Sequence, residues 1–371
     1  MLIFQPALAP YMIDQYNFLG DVFEMEIIFL FNNVTYDKFD QQKLLSQLRC
    51  KYSLLLKGIR LGKNRVFRFG TWKSIQRNRP DIILGYEYSL TMQFLILLKR
   101  LRLISAKIGS TVDDSLEMIA KESSLLHQRA RRFSVKHLDY LLLFSEEVAE
   151  FYHRTFHVPK DNIIVFPILQ SEQRLKKDQD KIIAIAQHRM QEYNFWGKRL
   201  LLYVGRFTGI KGLSKFIEMI APFLQKEYDL IMVMIGNGDE YEDIKQQIAE
   251  KQLENKIFLP GRFEGNELYA WYLCASGLVL PSIYEPYGAV VNEALIFGLK
   301  VLCSRYAGSR SLITPNNRLL FDPLNENDTQ TKLYHFLAAL PVVNIHLADK
   351  KTLTEDSDSF FQKAWGKILS E

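Results

Sequence analysis

Residues 278–294 read Leu-Val-Leu-Pro-Ser-Ile-Tyr-Glu-Pro-Tyr-Gly-Ala-Val-Val-Asn-Glu-Ala, and this pattern predicts a strand, a loop and a helix. The apolar run that ends at Leu280 is typical of a buried strand, and we expect the helix to begin near Gly288. Glu285 lies in the predicted loop and Glu293 in the second turn of the predicted helix. A helix start attracts phosphate, and carboxylates accept hydrogen bonds from sugar hydroxyls. The alternative is a helix start that is simply stabilised by nearby acids.

A strand end upstream carries two cations. Residues 200–206 form an apolar run that ends in Gly205 and Arg206, and Lys211 follows at a predicted helix start. A glycine lets the backbone approach a ligand closely, and an Arg with a Lys at a strand's carboxyl end can clamp two phosphate groups. Taken alone, the pattern is more typical of a turn that bears two surface cations.

The strand end between these two motifs is rich in glycine. The apolar run at residues 230–235 is followed by Gly236, Asn237 and Gly238. This is shorter than the dinucleotide-binding fingerprint, and the expected acidic residue about 20 positions on is not at a strand end, so an NAD-dependent enzyme is disfavoured. Three strand ends of this kind, in this order within one half of the chain, indicate one ligand site at the carboxyl edge of a parallel sheet.

The whole chain alternates short apolar runs with amphipathic stretches, which is the pattern of βαβ units. Its 371 residues favour two domains, which we place at residues 1–175 and 176–350. Strands are predicted near residues 2–4, 26–31, 52–56, 65–69, 81–85, 103–109, 140–144, 162–166, 199–204, 230–235, 256–259, 277–280 and 300–303. Helices are predicted near residues 89–100, 115–136, 146–155, 212–225, 239–251, 267–275 and 289–297.

Composition narrows the class of protein. The chain is 48% hydrophobic and 24% charged, as in ordinary globular proteins. Its three cysteines are far apart, which argues against a disulfide scaffold or a zinc site and favours a reducing compartment. We find no secretion signal and no apolar run of about 20 residues that could span a bilayer. The sequence therefore predicts a cytoplasmic protein without a membrane-spanning segment.

Positive charge is concentrated in the first half of the chain. Residues 41–80 contain eleven Lys or Arg and no Asp or Glu. Two interpretations stay open: these residues form solvated faces, or they attract anionic headgroups or a phosphorylated acceptor. Nucleic acid is disfavoured because no known binding module is recognised. The second interpretation predicts a peripheral contact with an anionic membrane.

The ordered set of motifs resembles the retaining glycosyltransferase family 4, which has the GT-B architecture. The resemblance covers about residues 199–322 and rests on residues 280–282, 285–288 and 292–295; in the N-terminal half it is architectural only. It implies an α/β fold with two Rossmann-like domains whose parallel sheets face each other across a cleft. It also implies that the C-terminal helix, residues 351–371, crosses back to the N-terminal domain.

The resemblance implies a role for each site residue. Arg206 and Lys211 would bind the diphosphate, Glu285 the hydroxyls of the donor sugar, and Glu293 the ribose. No metal and no cofactor would be required, because two cations and a helix start face the diphosphate. The other implied donor-site residues are Gly288 and Ala289 at the phosphates, Arg262 and Phe263 at the base, and Gly205, Gly236, Gly238 and Tyr287.

The N-terminal half departs from the family pattern at two loops. Residues 5–11, after the first strand, contain no glycine, although the family often has a glycine-rich loop there. Many members carry His-Asp after the strand matching residues 103–109, whereas this chain has Val112, Asp113 and Asp114. One interpretation assigns Asp113 to the histidine position near the reacting sugar, so that it joins Arg206, Lys211 and Glu285 as the catalytic set; the alternative is a site that is built differently.

The resulting hypothesis is a retaining hexosyltransferase. It would move a sugar from a nucleotide-diphosphate sugar to a glycan or lipid-linked acceptor, at the inner membrane face, in cell-surface polysaccharide biosynthesis. Two alternatives remain: a sugar-nucleotide epimerase of the same architecture, which needs no acceptor, and a non-catalytic sugar-nucleotide-binding protein.

Overall fold

The computed structural model describes residues 1–34, 38–61 and 66–369. It divides the chain into two compact units. Unit 1 comprises Met1–Gln170 and Ser357–Glu371, and unit 2 comprises Ser171–Asp356. The limits of unit 2 differ by a few residues from those of the predicted domain at residues 176–350.

Unit 1 is built on a seven-stranded parallel sheet in the order β3-β2-β1-β6-β7-β8-β9. Its central strands consist largely of buried apolar residues; for example, Ile3 of β1 is paired in register with Ile27 of β2. A separate antiparallel pair, β4-β5, follows the edge strand β3. The strands are β1 Leu2–Gln5, β2 Glu26–Phe29, β3 Lys51–Leu54, β4 Gly58–Arg60, β5 Val66–Arg68, β6 Ile82–Tyr86, β7 Lys107–Val112, β8 Tyr140–Leu143 and β9 Ile163–Val165.

Serine side chains cap the N-termini of several helices of unit 1. Ser89, Ser115, Ser124 and Ser145 each accept a hydrogen bond from the backbone N–H three residues on, which satisfies an otherwise unpaired donor. The helices are α1 Ile13–Val22, α2 Gln41–Leu45, α3 Thr71–Asn78, α4 Leu90–Arg100, α5 Leu116–Lys121, α6 Leu125–Val135 and α7 Glu146–Phe156.

Three predicted elements of unit 1 were wrong in extent or partner. The helix predicted at residues 115–136 is two helices, because Ser124 caps a new start. The strand predicted at 103–109 is β7, Lys107–Val112. The strand predicted at 65–69 is β5, which pairs antiparallel with β4 and not with the parallel sheet; Arg65 lies outside the described residues.

Unit 2 contains a six-stranded parallel sheet in the order β12-β11-β10-β13-β14-β15. The predicted strands at 199–204, 230–235 and 277–280 are confirmed residue for residue, and β15 was not predicted. The strands are β10 Arg199–Val204, β11 Leu230–Ile235, β12 Ile257–Gly261, β13 Gly277–Leu280, β14 Lys300–Ser304 and β15 Arg318–Phe321. The helices are α8 Glu172–Leu175, α9 Gln179–Glu192, α10 Leu213–Lys226, α11 Tyr241–Glu250, α12 Asn266–Cys274, α13 Val290–Ile296 and α14 Glu326–Ala338.

The last helix, α15 (Ser357–Leu369), belongs to unit 1. Its Phe361 ring lies 5.5 Å from the ring of Phe18 and 5.0 Å from that of Phe166. Trp365 is fully buried and also packs on Phe166, at 5.7 Å between centroids. The chain thus leaves unit 1, forms unit 2 and returns to complete the core of unit 1.

Within residues 1–34, 38–61 and 66–369, we find no helix with the length and apolar character needed to cross a bilayer.

Candidate functional site

Three loops meet at the carboxyl edge of the sheet in unit 2. Strand β10 pairs with β11 on one side and with β13 on the other, so the segments after these strands are neighbours. They are residues 205–212, 236–240 and 281–289. All predicted site residues except Arg262, Phe263, Glu293 and Asp113 lie in these three loops.

The glycines after β10 and β11 allow these two loops to contact each other. A Cβ on Gly236 would lie 1.9 Å from the carbonyl oxygen of Gly205, and one on Gly238 would lie 2.3 Å from that of Phe207. The Phe207 N–H donates to the Asn237 carbonyl at 2.9 Å. Close packing between the loops therefore explains Gly236 and Gly238 without a ligand.

Lys211 and Glu285 form a buried ion pair between the loops after β10 and β13. Lys211 Nζ donates to Glu285 Oε2, and both side chains are about a tenth exposed or less. Ser282 Oγ donates to the same carboxylate oxygen at 3.2 Å. The backbone joins the loops as well, because Ile283 N–H donates to the Ile210 carbonyl at 2.9 Å. The Glu285 carboxylate is thus held by Lys211 and Ser282, and the backbone bond fixes the loops that carry the pair.

Arg206 and Glu285 both act on the buried Tyr203. The Tyr203 hydroxyl donates to the Arg206 carbonyl at 2.8 Å, while the Arg206 side chain is half-buried. Burial raises the pKa of Tyr203 well above its usual value; the charge of Glu285 adds to this effect and that of Arg206 opposes it. Tyr203 therefore stays a neutral donor that fixes the backbone at Arg206.

The loop before α13 is anchored by the segment after β14. Ser309 N–H donates to the Tyr287 carbonyl at 2.7 Å, and Gly308 N–H to the Glu285 carbonyl at 3.2 Å. Gly288 has φ +91°, and a Cβ there would lie 2.8 Å from the Leu280 side chain. Backbone conformation and space thus both require glycine at this position.

The helix start differs from the prediction by two residues. Helix α13 begins at Val290 with Ala289 as its N-cap residue, so Glu293 lies in the first turn and not in the second. Glu293 is buried, and its Oε2 accepts the Tyr272 hydroxyl at 2.7 Å. Burial, with Glu293 as the next cause, raises the pKa of Tyr272 well above its usual value, so Tyr272 remains a donor.

Arg262 and Phe263 follow β12 but differ in exposure. Arg262 is exposed and pairs with Glu264 at 2.6 Å. The Phe263 ring packs against the Arg189 guanidinium, 4.6 Å from the ring centroid, and the Trp271 ring lies 6.0 Å from it. Phe263 therefore contributes to the packing of α9 on α12, a role that the sequence interpretation did not assign to it.

Asp113 lies in unit 1, whereas the other predicted site residues lie in unit 2. It directly follows β7, and its N–H donates to Glu87 Oε1 at 2.9 Å. Glu87 follows the neighbouring strand β6 with φ +53°. Burial, then the charge of Asp114, raises the pKa of Glu87 to about 8. Asp114 in turn forms a buried ion pair with Arg131 at 3.1 Å.

Several residues of these sites were not predicted from the sequence. Glu87 was detectable as an acid directly after a strand, and Ser309 as part of the turn after β14. Tyr272 and Arg189 lie on helices and carry no signal in their local sequence. Within the described part of the chain, no group of three or more His, Cys, Asp or Glu side chains is placed to hold a metal ion.

Residues 185–339 match the family model described as glycosyl transferases group 1. Every predicted site residue of unit 2 falls within this range. Among sequence relatives, the 2-deoxystreptamine N-acetyl-D-glucosaminyltransferase of Niallia circulans is 28% identical over 143 residues, which are 38% of this chain and 36% of that protein. The matches to this and three other relatives span 30 to 47% of those proteins' own lengths.

Solved structures match the whole chain. HepE of Anabaena in complex with UDP has a TM-score of 0.73 at 13% identity, with 100% of both chains covered. WaaG, a glycosyltransferase involved in lipopolysaccharide biosynthesis, has a TM-score of 0.67 at 15% identity, also with 100% of both chains covered. At these identities the likeness concerns the fold. It confirms the predicted α/β class of GT-B type, with two Rossmann-like domains built on parallel sheets.

Proposed function

We propose that the protein is a retaining hexosyltransferase that moves a sugar from a nucleotide-diphosphate sugar to a glycan or lipid-linked acceptor. The observation that supports this most is the buried Lys211–Glu285 pair at the carboxyl edge of unit 2. The pair lies inside the region that matches the group 1 glycosyl transferases. It holds a cation that would bind a phosphate next to a carboxylate that would accept hydrogen bonds from sugar hydroxyls.

The diphosphate would be bound by Arg206 and Lys211. A lysine ammonium has three N–H donors, so Lys211 can contact Glu285 and a phosphate oxygen at the same time. The backbone amides of Gly288 and Ala289, just before α13, would face the phosphates as well. These groups would offset the charge that develops on the departing diphosphate, which is worth about 3 kcal/mol per contact. This arrangement requires no metal ion.

The sugar, ribose and base would meet different loops. Glu285 would accept hydrogen bonds from the hydroxyls of the transferred sugar. Glu293, oriented by Tyr272, would accept them from the hydroxyls of the ribose. Because the Phe263 ring already packs on Arg189, we assign the base to the backbone of residues 262–263. The backbone at Gly205, Gly236, Gly238 and Tyr287 would complete the donor site.

The reaction would keep the configuration of the transferred carbon. The acceptor hydroxyl would attack the face that the diphosphate leaves, and its proton would pass to the leaving phosphate oxygen. The sugar–phosphate bond breaks as the new glycosidic bond forms. We assign the acceptor to unit 1, where Asp113 would contact it.

The biological setting belongs to the same proposal. We place the reaction in cell-surface polysaccharide biosynthesis, at the cytoplasmic face of a membrane. WaaG, which shares the fold, is involved in lipopolysaccharide biosynthesis. A UDP-sugar is the first donor class to test, because HepE binds UDP. An epimerase is not favoured, since the named relatives are transferases.

The decisive experiment combines donor binding with turnover. UDP, GDP and ADP are compared for their ability to raise the melting temperature, where a ligand at about 100 times its Kd adds about 2.7 kcal/mol of stability. Donor sugars of the binding nucleotide are then assayed with glycan and lipid-linked acceptors, in the presence of EDTA. We expect one nucleotide to stabilise the protein and its sugar to be transferred.

Two variants tie this activity to the site. Arg206→Ala and Glu285→Gln should each lower kcat/KM by about 100-fold or more while leaving the fold intact. Glutamine keeps an oxygen that accepts the Lys211 hydrogen bond, so the buried ammonium loses its counter-charge but keeps an acceptor, and circular dichroism checks that the variant is folded. Lys215→Ala, at an exposed position of α10, is the control and should keep full activity. Full activity of both site variants, or isomerisation of the donor without an acceptor, would overturn the proposal.

A further inference from the structure

A stretch of unit 1 exposes apolar side chains in succession. Tyr52, Leu54, Leu56, Ile59 and Leu61 are each between 38 and 52% exposed. Single exposed apolar residues are ordinary, whereas five within ten positions, on β3, on β4 and on the segments beside β4, are a local concentration. We call these five residues, together with the neighbouring cations Lys51, Lys57 and Arg60, the docking surface.

The architecture explains why this stretch is uncovered. Strand β3 is the edge of the seven-stranded sheet, and β4 with β5 forms a separate antiparallel pair beyond it. Leu54 and Tyr52 line a cavity of about 320 Å³ together with Phe31. The Arg68 guanidinium lies 4.6 Å from the centroid of the Phe31 ring and donates to the Leu56 carbonyl. The edge strand and the hairpin are thereby joined into one surface.

The cations of this surface lack acidic partners. Lys51, Lys57 and Arg60 are exposed and make no ion pair within residues 1–34, 38–61 and 66–369. Elsewhere in the basic stretch, Arg49 pairs with Asp21 and Arg77 with Glu26, so those charges are already compensated. Lys63 and Arg65 belong to the same stretch of sequence but lie outside the described residues.

We propose that the docking surface binds an anionic lipid bilayer. Its three unpaired cations would contact the headgroups, and its leucine, isoleucine and tyrosine side chains would enter the boundary between headgroups and acyl chains. A bilayer fits better than a second copy of this chain, because two copies would bring like charges together. The inference builds on the proposed function, since a lipid-linked acceptor lies at a bilayer.

The first test measures the electrostatic part of the contact. The full chain is sedimented with phosphatidylcholine vesicles that contain about 30% phosphatidylglycerol, at about 0.15 M salt. We expect binding to these vesicles and at least tenfold weaker binding to pure phosphatidylcholine. Replacing Lys51, Lys57 and Arg60 by Gln should weaken binding by about 100-fold, or about fivefold per cation. The matched control, with the same change in net charge on exposed sites of unit 2, is Lys181→Gln with Lys226→Gln and Lys245→Gln.

The second test measures the apolar part. Leu56→Ser, Ile59→Ser and Leu61→Ser together keep every charge but remove side chains that would enter the bilayer, and we expect binding at least tenfold weaker. The control is the triple change to Ser at Tyr228, Leu324 and Tyr334, which are exposed apolar residues of unit 2.

The outcomes separate this inference from its rivals. Selective loss in the two docking-surface variants supports it. Equal loss in the controls, or no binding to anionic vesicles, overturns it. A dimer in the absence of lipid that the serine variant converts to monomer also overturns it, because the surface would then be covered by a second copy. Vesicle binding needs no sugar transfer, so failure here leaves the nucleotide and turnover results of the proposed function untouched.

Discussion

Lys211 and Glu285 are each less than a tenth exposed, and each neutralises the charge of the other. A buried charge without a partner costs several kcal/mol, so removal of one member typically destabilises a protein by about 3–5 kcal/mol. The pair therefore fixes the positions of two loops before any ligand binds. An alanine at either position would therefore lower stability as well as activity, whereas a glutamine at position 285 removes the counter-charge but keeps the hydrogen bond to Lys211.

Glu87 of unit 1 gives the protein a pH dependence. Its pKa is raised from 4.5 to about 8 by burial and then by the charge of Asp114. Between these two values the folded state binds more protons at this site than the unfolded state. Its stabilising contribution is therefore complete below pH 4.5 and is lost as the pH rises through about 8, by at most about 1.4 kcal/mol per pH unit. We expect Glu87→Gln to remove this slope, as measured by urea unfolding between pH 5 and 9.

The amide of a glutamine at position 87 can still accept the hydrogen bond from the Asp113 N–H. The comparison of Glu87→Gln with the wild type therefore measures only the effect of titrating the carboxyl group. Glu24→Gln, on the exposed surface of the same unit, is the matched control and should unfold with the wild-type slope. A Glu87→Gln variant that loses stability with pH as steeply as the wild type would contradict the assignment.

At the scale of elements, the glycine turn after β11 allows close packing against the loop after β10. A Cβ on Gly236 would lie 1.9 Å from the Gly205 carbonyl oxygen, and Gly236 has φ +152°. We expect Gly236→Ala to force the loops after β10 and β11 apart and to lower the free energy of unfolding by about 1–3 kcal/mol from overpacking alone. Urea unfolding followed by circular dichroism measures this change.

Gly197 provides the control for backbone strain. It has φ +76°, but no atom lies within 4 Å of the position of a Cβ. Gly197→Ala should therefore cost only the strain of a left-handed backbone, about 1 kcal/mol. If both variants lost the same stability, the contact between the two loops would not be the reason for glycine at position 236.

The elements of unit 2 were predictable because its strands are buried on both faces. Leu200, Leu201 and Leu202, like residues 230–235, are continuous apolar runs with sharp polar ends. In unit 1 the pattern is weaker: β3 is an exposed edge, so its apolar residues do not mark a core. Strand β15 was missed because it is a four-residue strand at the edge of the sheet with three apolar residues, of which Leu320 is exposed.

The site was predictable only where function and strand ends coincide. Arg206, Lys211 and Glu285 lie in the loops that follow β10 and β13, so their positions in sequence predict that they share one edge of the sheet. Tyr272 and Arg189 reach the site through helix packing, which depends on three-dimensional contacts. The bond between Lys211 and Glu285 spans 74 positions and has no local signature.

At the scale of the whole molecule, the chain path links the end of the sequence to its beginning. Unit 2 is inserted between residue 170 and residue 357, and α15 packs in unit 1 on α1 and on the end of β9. The basic stretch of residues 41–80 belongs to unit 1, whereas the predicted donor residues lie in unit 2. The two units thus differ both in their surfaces and in the ligands we propose for them.

Substitution of Trp365 tests whether α15 stabilises the core of unit 1. The side chain is fully buried, with Phe166 and Phe23 as ring partners at 5.7 and 6.2 Å. Trp365→Ala should destabilise unit 1 by about 3–5 kcal/mol through the cavity that it leaves. Within the described residues its Nε1 has no hydrogen-bond partner, so Trp365→Phe removes no hydrogen bond and should cost less than the alanine change, because it leaves a smaller cavity.

Hydrogen–deuterium exchange shows which unit loses stability in the Trp365→Ala variant. In Trp365→Ala, peptides that cover β1 and β7 of unit 1 should exchange faster, while those covering β10 and β11 of unit 2 should change less. The UDP-dependent protection of unit 2, once measured for the wild type, provides an internal control. If exchange rose more in β10 and β11 than in β1 and β7, the core that α15 completes would not be that of unit 1. Because Trp365→Phe leaves a smaller cavity, equal loss of stability in the two variants would show that the cavity is not the cause.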